Sequence, residues 1–343
     1  MRSAARMSGM HAAVLRGPRD VRVEQRAQPS PGPGEAIVRV FASGLCGTDY
    51  RIWNGDRPVD YPRVMGHEFI GEVMAVGGDV SNVRPGQKVA VEPNYSCGHC
   101  PLCREGNRNL CLSRTAIGID VDGGFAEQAR LPARCCWPAP AAIDDDQLML
   151  AEPLAVVVRA VGRGEARRGE RAAVLGVGAL GLLAIQLLKS RGLAVLAIGR
   201  TDRREGLARE LGADEFTTTS SGHAPEAARS FSGREGVDLL VETAGTGAAV
   251  EQAVELVRPG GRLVLTGLPH EPSTVGFFGV VRRELTIIGS MIYQQEFPEA
   301  VRLLSAGVVK VDRLVTHRFP LERIQEAFAA HRSPESIKVT VVI

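Results

Sequence analysis

The sequence predicts an α/β protein of two domains, a mainly β segment followed by a doubly wound parallel sheet. Three observations carry that reading. Residues 11–150 hold short apolar runs broken by Gly and Pro. Near Glu152 the pattern changes to strand-like runs alternating with helix-like ones, the signature of βαβ units. A glycine-rich turn lies at the first of those strand-to-helix junctions. The length of 343 residues fits about two domains and a core that needs no disulfide staples.

In chain order, the first ten residues, MRSAARMSGM, are basic and lack an apolar stretch. They are expected to be a disordered tail rather than a secretory signal, with the fold beginning near His11. Residues 35–40 and 71–77 are runs of Val, Ile and Ala closed by turn residues and are expected as strands. After Glu152 the expected order is strand 172–175, helix 179–189 ending before Gly192, strand 193–198, and helix 202–211 closed by Gly212. Strand 237–241 follows, then helix 246–257, halted by Arg258-Pro259-Gly260-Gly261, and strands 262–266 and 285–288. The tail reads as helix 299–306, strand 314–317, helix 321–331 and an alternating strand 337–343.

Composition excludes several classes. The formal charge is +2, and the densest basic run, Arg200-Thr201-Asp202-Arg203-Arg204, is short and broken by an acid, so a nucleic-acid partner is not expected. No uncharged apolar stretch of about 18 residues occurs, so no membrane span is expected. Seven cysteines, odd in number and clustered, fit a reducing cytoplasm better than a disulfide framework.

Four of those cysteines follow C-x2-C-x2-C-x7-C: Cys97, Cys100, Cys103 and Cys111. Thiolates on tight turns suit a tetrahedral zinc held by four sulfurs. Neighbours this close rarely supply the geometry of two disulfides, and common iron–sulfur spacings match only in part. A four-sulfur site has no open position, so it is structural, and catalysis must be sought elsewhere. Cys135 and Cys136 are adjacent and are expected to be buried packing.

Gly176-Val177-Gly178-Ala179-Leu180-Gly181 is a G-x-G-x-x-G run between an expected strand and an apolar helix, the context of a dinucleotide-binding turn. Gly176 permits the turn, Gly178 lets a pyrophosphate approach, and Gly181 allows close helix–sheet packing. Thr243–Gly245 and Gly267 end strands on the same side and are expected to line the nicotinamide cleft.

Two further fragments bear metal-type residues: Gly44-Leu45-Cys46-Gly47-Thr48-Asp49 and Gly66-His67-Glu68-Phe69-Ile70-Gly71. Alone, Cys46 reads as a small buried hydrophobe and His67 as a hydrogen-bonded residue. Together with the four-cysteine run, Ala151-Glu152-Pro153-Leu154 and the glycine turn, they resemble the zinc-dependent medium-chain dehydrogenase/reductase family, in the family's order over nearly the whole chain. Within it the chain looks most like sorbitol (polyol) dehydrogenases, which carry a tail like Leu314-Val315-Thr316-His317-Arg318-Phe319-Pro320-Leu321-Glu322.

The resemblance implies a GroES-like mainly β catalytic domain over 11–155 with a zinc lobe at 94–113. It further implies a Rossmann domain over 156–290 and a return to the catalytic domain over 291–343. It implies two zincs per chain and a nicotinamide cofactor. Cys46 and His67 become catalytic zinc ligands, with Glu68 and Glu152 sharing the remaining duty. One carboxylate binds the metal and the other stands near its water. Thr48 would take the alcohol's proton. A metal there would polarise an alcohol oxygen as a Lewis acid before hydride leaves for the nicotinamide. Relatives commonly carry a relay histidine five residues after the cysteine; Arg51 stands there and cannot act as a base. Either the relay ends at the cofactor ribose and water, or Arg51 grips a phosphate or polar substrate. Met291-Ile292, beside Tyr293, stand where a polyol-binding arginine is expected.

Counted as in relatives, the position of the ribose-binding acid is Gly199, followed by Arg200. The missing carboxylate and the guanidinium favour NADP over NAD. Arg203 or Arg204 could add to this, and Asp202 argues against it. His317 and His331 fall in ordinary patterns and are expected to be structural. The implied reaction acts on a secondary alcohol of a polyol, sugar, cyclitol or amino alcohol, or alternatively on a 3-hydroxy amino acid or a sugar phosphate. The partner is a small molecule, and relatives imply a homodimer or homotetramer. A zinc-free reductase of the same superfamily would lack the Cys46–His67–Glu152 set. A zinc-ribbon binding module would show a basic face at 96–111 and no cofactor affinity.

Overall fold

The structure, a computed structural model, describes residues 9–343. The chain forms two compact units: residues up to Glu152 with Val311–Ile343, and Pro153–Lys310. The chain re-enters the first unit at Val311, not near residue 291, so the helix Phe297–Ser305 belongs to the second unit. Most of the expected disordered tail lies outside the described residues; Gly9 and Met10 instead open the strand Gly9–Gly17.

In the first unit the spine is the strand Glu35–Leu45, buried along most of its length. It pairs antiparallel with Glu68–Val76 on one side and with Lys338–Val342 on the other. Gln128–Pro132 pairs with its first half. The path of the seven-stranded sheet runs Cys136–Pro138, Lys88–Val91, Glu68–Val76, Glu35–Leu45, Lys338–Val342, Val315–Pro320. Leu45, Ile52, Met65, Phe125, Phe328 and Val339 share one core, which ties the C-terminal residues to the first fifty.

In the second unit six parallel strands stand in the order Glu215–Thr218, Ala194–Gly199, Arg171–Leu175, Val237–Glu242, Val257–Leu265, Thr286–Gly289. Ala173, Leu175, Leu196, Leu240 and Leu263 face a core shared with residues of the helices Ala224–Ser232 and Gly247–Leu256. The alternate residues Ala172 and Val174 are equally buried, so both faces of the sheet are covered, as a parallel sheet requires.

Several expectations shift. The helix expected at 202–211 splits into a 3-10 turn, Asp202–Arg204, and a short helix, Glu205–Glu210. The helix Gly247–Leu256 ends ahead of Arg258-Pro259-Gly260-Gly261 as expected, but the strand expected at 262–266 already begins at Val257 and runs through those residues, with its register against Val237–Glu242 shifting between Val237 and Leu239. The strand Glu215–Thr218 and the helices Ala224–Ser232 and Phe277–Arg282 add to the expected elements.

Candidate active site and zinc lobe

Between the paired strands Asn94–Tyr95 and Thr115–Ala116 the chain loops out through the short helix Pro101–Arg104 and the turn Arg108–Leu110. This loop gathers all four clustered sulfurs. Cys97 and Cys111 Sγ are 3.5 Å apart, Cys100 and Cys111 3.9 Å, and Cys97 and Cys103 4.0 Å. A zinc–sulfur bond of about 2.3 Å gives a tetrahedral edge of about 3.8 Å, whereas a disulfide needs about 2.05 Å. The donor set therefore fits zinc. The backbone also favours negative sulfur: Cys97 N–H donates to Cys111 Sγ at 3.3 Å, and Cys100 N–H to Cys97 Sγ at 3.4 Å. The N–H groups of His99 and Cys100 hold the Cys97 thiol below its ordinary value, and those of Leu112 and Cys103 bring Cys100 down to about 6. Burial pushes Cys103 up to about 11. Cys135 and Cys136 are buried free thiols, as the sequence suggested.

The second cluster forms where two strands meet a helix. Cys46 follows the strand Glu35–Leu45 and caps the helix Gly47–Asn54, while Glu68 opens the strand Glu68–Val76 directly after His67. One donor atom each from Cys46, His67 and Glu68 lies within 4.8 Å of the others. Asp49 serves both halves of the cluster. One oxygen accepts from the Cys46 N–H at 3.0 Å, and the other pairs with His67 Nδ1 at 3.1 Å. A carboxylate behind a histidine fixes the ring and leaves Nε2 to a metal. Burial disfavours charge on His67, but the Asp49 carboxylate, their hydrogen bond and the Cys46 sulfur outweigh it. The imidazole pKa therefore lies well above its ordinary 6.5. A Cys, a His and a carboxylate with one position open is a zinc set.

Thr48 is half-buried in the first turn of the helix Gly47–Asn54, and Arg51 is half-buried in its last turn. Glu152 is buried at the start of the helix Ala151–Arg163. Its carboxylate is outside the group formed by Cys46, His67 and Glu68, yet its charge reaches Lys338. His331 stacks on Tyr50 with ring centres 5.9 Å apart, and burial lowers its pKa to about 4. His317 pairs with Thr316 Oγ1.

In the second unit Gly176-Val177-Gly178 joins the strand Arg171–Leu175 to the helix Ala179–Ser190. Gly176 sits at φ 100°, and a Cβ on Gly181 would collide with the Gly176 carbonyl oxygen, so this turn admits no side chain at either position. Gly178 caps the helix without a side-chain hydrogen bond, and no acid stands in the first turn, which leaves the end suited to phosphate. Ala179 and Leu180 begin that helix. Thr243 Oγ1 donates to the Gly176 carbonyl at 2.9 Å, and Arg204 Nη1 to the Val177 carbonyl at 2.8 Å. Both side chains brace the turn. Gly245 N–H donates to the buried Glu242 at 2.7 Å, and a Cβ on Gly267 would collide with Gly245, so these strand ends pack tightly together. Gly199 is buried, and Arg200 beside it is exposed.

A histidine–cysteine–carboxylate cluster in one unit and a dinucleotide turn in the other define the class of a metal-dependent oxidoreductase. Residues 32–141 match the alcohol dehydrogenase GroES-like domain, and residues 179–306 match the zinc-binding dehydrogenase domain. Human sorbitol dehydrogenase is 33% identical over 99% of this chain and 97% of its own. A solved structure described as a zinc-binding dehydrogenase of Sinorhizobium meliloti 1021, bound to NADP, superposes with a TM-score of 0.93 at 32% identity, covering 98% and 100% of the two chains. That of the alcohol dehydrogenase RspB of E. coli CFT073, complexed with NADH, has a TM-score of 0.90 at 32% identity, covering 98% and 100%. The chain belongs to the zinc-dependent medium-chain dehydrogenase/reductase family, and it is an alcohol oxidoreductase that uses NAD(P). The binding-module alternative is thereby removed.

Sequence reasoning missed two residues of this cluster. Asp49 stood in view, three residues after Cys46, at the spacing of a capping box. Lys338 gave no local signal at all.

Proposed function

We propose that this enzyme oxidises a secondary alcohol of a polyol, sugar, cyclitol or amino alcohol, or reduces the matching ketone, with NADP preferred over NAD. The observation that carries the reading is the convergence of Cys46, His67 and Glu68 within 4.8 Å, with Asp49 orienting the histidine. These three hold the catalytic zinc, Glu152 stands by as the second carboxylate, and Cys97, Cys100, Cys103 and Cys111 hold a structural zinc. When bound, the catalytic zinc supplies Lewis-acid polarisation of the alcohol or ketone oxygen. Thr48 Oγ1 accepts the alcohol's proton as its own hydroxyl hydrogen leaves, and the relay ends at the cofactor ribose and water. Arg51 stays charged and takes no part as a base; it is suited to a polar or anionic group on the substrate. The Gly176–Gly181 turn and the helix behind it take the pyrophosphate, and Arg200 meets the 2′-phosphate. Thr243 and Gly267 border the nicotinamide.

Seven cysteines that are all free support a cytoplasmic setting, and among the described residues no helix is long and apolar enough to cross a membrane. The enzyme works as a homodimer or homotetramer; the uncharged strand Thr286–Gly289 at one edge of the parallel sheet supports self-association.

The experiment is metal analysis and turnover of wild type and Cys46→Ser. Polyols, aminocyclitols, sugar phosphates and 3-hydroxy amino acids are each offered with both cofactors. Wild type is expected to hold two zincs per chain, and Cys46→Ser one, with circular dichroism unchanged and turnover abolished for want of the Lewis acid. A variant that keeps both zincs and its turnover defeats the assignment.

A further inference from the structure

Lys338 carries an ammonium group into the metal-ligand cluster from the far end of the sequence. Strand register explains how. Glu68 stands opposite Gly44, and Gly44 opposite Thr340, across three neighbouring antiparallel strands. Residues two apart on a strand share a face. Cys46, two beyond Gly44, and Lys338, two before Thr340, therefore project to the same side as Glu68. Lys338 Nζ lies 2.6 Å from Glu68 Oε2, with Lys338 5% exposed and Glu68 2%. A side chain at Gly44 would strike Glu68 Oε2 and come within 2.7 Å of Met149 Sδ. The carboxylate is thus laid over Gly44, where a Cβ would require Glu68 and Met149 to shift, with one oxygen committed to the lysine.

Stability alone is a weak reason for this pair. A buried ion pair gains little over apolar residues of similar volume, because both ions lose their water. The pair also differs from the cluster's other outer contact. Asp49 strengthens a ligand, whereas Lys338 occupies one and adds positive charge where a cation is to bind.

We propose that Lys338 is a positioning residue for Glu68. It occupies one carboxylate oxygen, so Glu68 offers the metal a single oxygen and a coordination position stays open for substrate. Its charge also keeps the metal from binding too tightly. The proposal rests on Cys46, His67 and Glu68 forming the catalytic metal centre.

The test uses the full-length enzyme and Lys338→Met, with Lys338→Arg as the conservative variant. Zinc affinity is measured by chelator competition. Ligand geometry is read from the visible spectrum of the cobalt-substituted protein, with the Cys46→Ser spectrum subtracted to remove the four-sulfur lobe. Lys338→Met is expected to bind the catalytic-site zinc about tenfold more tightly, because a positive charge beside the cation is removed. Its cobalt bands should weaken as a fifth ligand joins, and kcat should fall with little change in KM. Lys338→Arg should restore all three. A Lys338→Met protein with lower thermal stability but unchanged zinc affinity and cobalt spectrum overturns the proposal alone. A wild-type cobalt signal that Cys46→Ser does not diminish overturns the metal-centre reading and this proposal with it. Should Lys338→Met fail to fold, Lys338→Gln keeps a donor toward Glu68 while dropping the charge. It is read by zinc affinity and the cobalt spectrum together: a rise in affinity with unchanged cobalt bands supports both parts of the role, whereas weakened bands, or no rise in affinity, defeat it.

Discussion

At position 199 the strand has no room for a side chain. A Cβ on Gly199 would lie 2.6 Å from the Thr201 carbonyl oxygen and 2.8 Å from Phe216 Cζ, both closer than ordinary contact. The missing acid is therefore a packing result as well as a cofactor signal, and placing aspartate there would disturb the strand end rather than switch preference cleanly. Arg200 is the better probe. It is exposed next to that strand end, whereas Arg204 is engaged with the Val177 carbonyl. Arg200→Leu is expected to raise KM for NADPH by about 10- to 100-fold, the worth of a charge-assisted hydrogen bond, and to leave KM for NADH nearly unchanged. Steady-state kinetics with both cofactors decides it: equal losses would mean that Arg200 does not meet a 2′-phosphate. Residues such as Cys46 and His67 were legible because each stands in a short fragment whose neighbours are informative. Lys338 was not, because its meaning lies in a partner 270 positions away, reached only through the pairing of three strands. Phe216 was hidden for the same reason, since nothing in its own segment says which strand end it covers.

Elements whose chemistry is local could be read from the chain directly. The glycine turn needs only its strand before and helix after, and the cysteine lobe closes within fifteen residues. Elements defined by packing were harder. Glu215–Thr218 is a four-residue edge strand with polar composition, and Phe277–Arg282 is a six-residue helix with no capping side chain. Neither is long enough to show a period. The lobe also makes a prediction at this scale. Its turns leave Cys97 and Cys100 ready to be negative, so a metal bound there would join the backbone N–H groups in holding the loop shut. Cys100→Ser is expected to lower zinc from two to one per chain. The cost in stability should be about 3 kcal/mol, as for opening a cross-link of about 15 residues. Faster proteolysis should be confined to the loop. Zinc analysis, thermal denaturation and limited proteolysis check it, and a variant that loses turnover before stability would make this lobe catalytic instead.

For the whole molecule, the question is what covers the apolar surface of the parallel-sheet unit. Phe277, Phe278 and Val281 are 71%, 79% and 75% exposed, and spacings of three and four residues put them on one side of their helix. Leu268 and Ile287 are exposed as well. The two sheet edges differ in kind. Glu215–Thr218 carries an exposed acid, which discourages pairing, whereas Thr286–Gly289 is Thr-Ile-Ile-Gly with no charge, proline or bulge. An unguarded edge of that sort is a template for another strand, and a twofold axis would let two copies pair the same strand antiparallel through one self-complementary patch. A net charge of only +2 does little to keep copies apart. Ile287→Lys places a cation on that edge, where a twofold axis brings two of them together. Sedimentation equilibrium is expected to give a dimer or tetramer for the native chain and half that mass for the variant at the same concentration. Zinc content should be retained in both. A native chain that sediments as a monomer, or a variant of undiminished mass, would show that this edge is not where copies meet. The five exposed apolar side chains would then need a different partner to account for them.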